Sequence, residues 1–337
     1  MDFSPFANRN VLITGGLGFI GSNLAIRCVA LGSRVTILTR SLGKMFNIEP
    51  VKDSARIVVV DLSRSADAIA ALREAALGQD YIFHLAAQTS HIESMRDPFG
   101  DLEANCGVTL GLLEACRELA SGAAIVMPGT VTQVGRVKEI PVGENLPDWP
   151  LSLYEAHKLA CEKYLFIYHQ SYGLKTTTLR LANVFGERQQ ANNPRRGILN
   201  FMLRRAMAGE PLTIYEPGDF IRDYSYVQNV LDALLLAAAS PNTAGQAYVF
   251  GSGVGLKFYE MIDQLTQAVR DTVGAEAEVR RVPFPPGERS MDAGDFVADN
   301  RKFCAHTGWF PRVSFADGLR RTIRFYQDHL AEYPREN

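Results

Sequence analysis

Short, uninterrupted apolar runs alternate along the first half of the chain with stretches whose apolar positions recur at helical spacing. Val11–Thr14 is apolar, too short for a helix and closed by glycines, which predicts a buried strand. Phe19–Leu31 carries the helical period and stops at Gly32. Runs at Arg34–Leu38 (RVTIL), Arg56–Asp61 (RIVVVD), Tyr81–Ala86 (YIFHLA) and Ala123–Met127 (AAIVM) predict four more strands. Helical patterns at Ser65–Ala76 and Asp101–Leu119 fall between them. A helix at Tyr154–Tyr172 then precedes a strand at Thr176–Ala182 (TTTLRLA). Strands that are apolar throughout, rather than at every second position, are covered on both faces. Alternation of such strands with helices predicts an α/β fold with a doubly wound parallel sheet.

The alternation ends near residue 186. The polar stretch GERQQANNPRRG follows, then short elements in irregular order and the proline-rich VPFPPGERS. Two domains are expected: residues 1–186, including the Tyr154–Tyr172 helix, and a smaller α/β substrate domain at 187–337, with a return of some of its elements to the first domain left open. The tail EYPREN is expected to fray.

Composition narrows the class. Of 337 residues, 47% are apolar and 21% charged, as in ordinary globular proteins, and the net charge of −2 gives no field that would recruit nucleic acid or an anionic membrane. Apolar runs stay below membrane-spanning length and no leader pattern opens the chain, so the expectation is a cytoplasmic protein. The five cysteines are scattered without C-x-x-C spacing, which favours reduced thiols over disulfides or zinc, and no metal site is expected.

The first strand runs into Gly15-x-x-Gly18-x-x-Gly21 and then a helix. Glycines there let the backbone turn tightly and approach a pyrophosphate whose charge rests at the helix N-terminus, the arrangement of Rossmann-type dinucleotide sites. The end of the second strand, where a carboxylate would face the ribose hydroxyls of NAD, reads Thr39-Arg40. Arginine pairs with a ribose phosphate, so this detail leans toward NADP; a solvated loop is the alternative. Asp61 is a candidate contact to the adenine amino group, with a capping role as the alternative.

Tyr154 and Lys158 stand at i, i+4 in LYEAHKLACEKY, which places both on one helical face. A tyrosine titrates near ~10, so a phenolate base near neutrality needs about 4 kcal/mol of differential stabilisation, which a neighbouring ammonium and a nicotinamide charge can provide.

TGGLGFIG, HLAAQ, YEAHK, LRLANVFGERQ and RDYSYV, in this order, resemble the extended short-chain dehydrogenase/reductase family of nucleotide-sugar epimerases and dehydratases, over essentially the whole chain. The resemblance implies a Rossmann domain for NAD(P), a C-terminal domain for a nucleoside-diphosphate sugar, a Ser/Thr–Tyr–Lys triad and a homodimer built on the long helices. It implies cofactor contacts at Gly15, Gly18, Phe19, Ile20, Gly21, Leu62, Leu85, Ala86, Ala87, Gln88, Asn105, Tyr154 and Lys158. The third triad member falls on Thr130 of PGTVTQVG, with Thr132 as competitor, and Val134 replaces the family's usual tyrosine. Substrate contacts are implied at Thr89, Ser90, His91, Asn183, Arg188 and Arg222, the last with a structural Arg222–Asp223 pair as the alternative. Arg289 stands near a family arginine, and Arg195-Arg196 read as a solvated loop.

Family 4,6-dehydratases carry Asp-Glu after the triad threonine, whereas this chain has Val131-Thr132, neither of which exchanges a proton near neutral pH. The expectation is therefore an epimerase acting at C4 with tightly bound NAD. An NADPH-dependent ketosugar reductase is the runner-up, ahead of a dehydratase or a dinucleotide-sensing binding protein.

Overall fold

The computed structural model describes residues 1–62, 66–191, 197–283 and 294–333. Arg195, Arg196 and Arg289 lie outside the described residues. The Rossmann half begins with β1 (Asn10–Thr14), α1 (Phe19–Ala30), β2 (Arg34–Thr39), β3 (Ala55–Val59), α2 (Ala66–Ala76) and β4 (Tyr81–His84). It continues through α3 (His91–Arg96), α4 (Pro98–Leu102), α5 (Val108–Glu118), β5 (Ala124–Thr130), α6 (Leu153–Tyr172) and β6 (Lys175–Leu181). Then come β7 (Asn183–Phe185), α7 (Ile198–Met207), β8 (Leu212–Tyr215), β9 (Ile221–Tyr226), α8 (Val227–Ala239), β10 (Gln246–Phe250) and β11 (Gly255–Lys257). The described chain closes with α9 (Phe258–Val273), β12 (Val279–Val282), α10 (Arg301–Thr307) and α11 (Phe315–His329).

The main sheet has seven strands in the order β10-β6-β5-β4-β1-β2-β3, all parallel. Side chains alternate across it, so each strand feeds two cores. Val11, Ile13, Phe83 and Val126 pack with Leu24 and Cys28 of α1 and with the apolar helix α8. Leu12, Ile82, Ile125 and Met127 pack with Leu72 of α2, Leu112 of α5 and Leu165 of α6. The threonines of β6 fit a central strand because Thr176 Oγ1 donates to the Leu165 carbonyl at 2.7 Å and Thr177 Oγ1 to that of Thr243 at 2.8 Å.

The later half of the chain is shared between layers. β10 is the seventh strand of the sheet and α8 packs on α1 and β5. β11-β9-β7 and β12-β8 form two small sheets beside α7, α9 and α11. These enclose the far end of a cleft over the C-terminal ends of β1, β4 and β5, where the strand order reverses and ligands of such folds sit.

Several boundaries differ from the pattern. β3 ends at Val59, so Asp61 lies beyond the strand, while β5 runs on to Thr130. The helix expected from Asp101 is interrupted by a π-helical turn at Glu103–Gly107. In the tail expected to fray, Tyr333 is instead buried, its hydroxyl donating to Asn47 Oδ1 at 2.6 Å; residues 334–337 lie outside the described residues.

Candidate active site

The cleft has a volume of about 1110 Å³ and runs from the glycine turn after β1, past α6, to β9. At its near end Gly15 holds φ +68°, and a Cβ there would meet the Ala86 backbone nitrogen at 2.9 Å. A Cβ on Gly21 would stand 2.4 Å from the Gly15 carbonyl oxygen. Such a turn brings the α1 N-terminus to the cleft with no side chain on Gly15, Gly18 or Gly21 in the way, which suits a pyrophosphate. Phe19, Ile20, Arg40, Leu85 and Ala87 line the same end.

α6 is set by its own N-terminus. Ser152 caps it, accepting the Glu155 N–H at 3.4 Å, while Glu155 accepts N–H groups from Leu151 at 2.5 Å and Ser152 at 3.0 Å. Tyr154 and Lys158 thereby face the cleft. At the end of β5, Thr130 Oγ1 and Thr132 Oγ1 lie 2.9 Å apart, so the two candidates for the third position form one hydrogen-bonded pair. The Thr130 N–H donates to Gln133 Oε1 at 2.9 Å, and Gln133 Nε2 donates to Glu162 Oε2 at 3.3 Å. Arg180 holds Glu162 through two contacts of 2.7 Å and reaches Asp148 at 2.6 and 3.0 Å. This buried network ties the threonine turn to α6.

Electrostatics differ from the expectation for Tyr154. Burial, then the charges of Asp101 and Glu155, push its phenol well above the usual tyrosine range. Lys158 is pushed down by burial, partly opposed by Cys161, Cys106 and Asp101. Within the chain, desolvation and carboxylates outweigh the ammonium, and the cationic cofactor ring invoked at the sequence level is not a part of the chain. His84, almost fully buried in the cleft wall, is pushed down to about 3 by burial and by the Lys158 charge. Thr109 donates to the Asn105 carbonyl at 2.7 Å, so His84 Nε2 donates to Thr109 at 3.1 Å and Nδ1 accepts from Thr14 at 2.9 Å.

The remaining expected contacts divide. Thr89, His91, Asn183, Arg188 and Arg222 line the cleft. Arg188 is also anchored, donating to Asn47 O at 3.0 Å and Asn23 Oδ1 at 3.1 Å. The Arg222–Asp223 pair does not form: Arg222 donates to the Ile221 and Gly294 carbonyls, while Asp223 accepts from Ser252, Gly253 and Ala298. Thr39, Asp61, Leu62, Ala86, Gln88, Ser90 and Asn105 are absent from the cleft lining. Thr39 Oγ1 donates to the Ser41 carbonyl, Ser90 caps α3, and the Gln88 amide holds Ser90 and Asp101. Asn105, on the π turn that packs against α6, has both amide atoms buried without a partner among the described residues, orphaned polar atoms of the kind that suit a bound polar group.

Residues 11–251 match the model of the NAD dependent epimerase/dehydratase family. The chain belongs to this family. Among curated members, UDP-glucose 4-epimerase of Mycolicibacterium smegmatis is 33% identical over 320 residues, covering 94% of this chain and 98% of that protein. The crystal structure of Thermus thermophilus UDP-glucose 4-epimerase in complex with NAD is 35% identical, with TM-score 0.79 and coverage of 94% and 99%. That of Thermotoga maritima UDP-glucose 4-epimerase with UDP-glucose is 30% identical, with TM-score 0.83 and coverage of 95% and 99%. The glycine turn and the partnerless Asn105 amide fit the family's cofactor. Sequence reasoning missed Glu155, Asp101 and His84: the partners of Asp101 and His84 lie far away in sequence, and for Glu155 the Ser-x-x-Glu spacing marks a helix cap but not its contact to His91.

Proposed function

We propose that the chain is an NAD-dependent nucleotide-sugar epimerase that inverts a hydroxyl-bearing carbon, C4 of a uridine-diphosphate hexose, as its relatives' names suggest. The observation that carries this reading is the hydrogen-bonded Thr130–Thr132 pair at the end of β5, on a cleft it shares with Tyr154 and with no carboxyl following Thr130. Gly15, Gly18 and Gly21 would hold the cofactor's pyrophosphate, and Lys158 its nicotinamide end. When bound, NAD supplies a reversible hydride acceptor. Tyr154 takes the proton of the sugar hydroxyl and holds it until that hydroxyl re-forms. Thr130, buttressed by Thr132, donates to the same oxygen and orients it toward Tyr154. Lys158, one turn along α6, favours the phenolate through its charge. Arg222 and Asn183 would hold the nucleotide diphosphate.

The test is incubation with UDP-hexoses in deuterated water without added cofactor, followed by NMR. Inversion with retention of the carbon-bound hydrogen supports the reading. Solvent deuterium at that carbon overturns it. Arg40, lining the cleft after a β2 that ends without a carboxylate, favours a second reading as an NADPH-dependent ketosugar reductase, which turnover only with stoichiometric NADPH would establish.

A homodimer fits the exposed apolar residues Ile92, Met95, Phe99 and Leu102 of α3 and α4, which pack beside α6. A cytoplasmic location fits the five free thiols. No described helix is long and apolar enough to cross a membrane.

A further inference from the structure

We propose that His91 is a positioning residue for Tyr154: joined to Glu155 and Ser152 at the start of α6 and set edge-on against the phenol ring, it fixes that ring and offsets the carboxylate beside it. His91 Nδ1 lies 3.1 Å from Glu155 Oε1 and 3.2 Å from Ser152 Oγ. The His91 and Tyr154 ring centroids are 5.0 Å apart at an interplanar angle of 67°. α3 and α6 pack together, so a side chain from one helix clamps the first turn of the other.

Glu155 explains why such a clamp is needed. Its carboxylate caps α6 through the Leu151 and Ser152 N–H groups, and it is 5% exposed. A buried negative charge directly after a phenol that must ionise opposes that ionisation. His91 donates to this carboxylate, and together with the backbone bonds holds its carboxyl below the usual range against the effect of burial. The other groups around Tyr154 are Asp101 of α4, bonded to His157 at 2.6 Å, and Lys158 and Cys161 on α6 itself. The adjoining Thr130–Thr132 turn carries no charge. His91 is thus the hydrogen-bonding partner that α3 contributes.

This inference rests on Tyr154 acting as the base, and the experiment separates the two. Epimerisation rates of wild type, His91→Leu, Glu155→Gln and the double variant are measured against pH, with melting temperatures. The Glu155→Gln side chain keeps an acceptor for the cap but carries no charge. His91→Leu is expected to lower kcat at neutral pH about tenfold, to move the acid limb about one unit upward, and to leave KM within about twofold. Glu155→Gln moves that limb downward, and the double variant recovers most of the rate lost in His91→Leu. A His91→Leu variant that raises KM alone, or a double variant as slow as His91→Leu, overturns the proposal. If His91→Leu does not fold, His91→Phe, which fills the space of the ring without a donor, takes its place with the same limb shift expected. Wild-type protein inactive on every UDP-hexose would instead refute the function itself.

Discussion

Arg180 grips Glu162 through two contacts of 2.7 Å, and both side chains are almost fully buried. Through Gln133 this pair reaches the backbone of Thr130, and through Asp148 it braces the loop that leads into α6. An ion pair buried beneath the site therefore sets the distance between the threonine turn and the helix of Tyr154. Removing one partner leaves the other as an uncompensated buried charge. Arg180→Met is expected to lower stability by about 3–5 kcal/mol, as read by urea unfolding. A loss below about 1 kcal/mol would show that the pair is not stabilising the turn.

Tyr154→Phe removes the hydroxyl and little else. Turnover should fall by about 10²–10⁴-fold while the melting temperature and the affinity for UDP-sugar stay near wild type. Steady-state kinetics together with calorimetric titration check this, and near-normal turnover would remove Tyr154 from its role.

The threonine pair predicts an asymmetry. Thr130→Val deletes the hydroxyl assigned to the sugar oxygen and should cost about 10²-fold in kcat. Thr132→Val leaves Thr130 in place and removes only its hydrogen-bonded neighbour, a loss of about tenfold or less. Reversed magnitudes would move the third triad position to Thr132.

His84 gives a pH dependence of stability. Its folded value, pushed down to about 3 by burial and then by Lys158, lies below the 6.5 of an unperturbed imidazole. Between those two values the unfolded chain binds a proton that the folded chain does not, so stability rises with pH across this window. The contribution is fully present above 6.5 and is lost as pH falls toward 3. Unfolding free energies of wild type and His84→Gln, compared from neutral pH down to pH about 4, should differ in slope by up to one proton. Parallel curves would mean that His84 is protonated in the folded state.

Local pattern carried most of the Rossmann half and most of the family motifs. Continuous apolar strands, a glycine turn held at positive φ with no room for a Cβ, and a Tyr–Lys pair at helical spacing are all set by neighbours within a few positions. The Thr130 candidate came from the family resemblance, through its spacing from Gly135, and not from periodicity. What local pattern left open depends on residues far apart in sequence. β10 completes the sheet by pairing Gln246–Phe250 with Thr177–Leu181 of a strand some 70 residues earlier, and periodicity alone does not choose a strand's partner. Thr39 and Gln88 turned their polar groups into the loops that carry them, since a backbone acceptor close at hand competes with a ligand. His91 and Glu155 stand 64 positions apart, and although Glu155 forms a capping box with Ser152, nothing in that local motif points to His91. Only the packing of α3 on α6 brought the imidazole to the carboxylate, because charge and burial act through space.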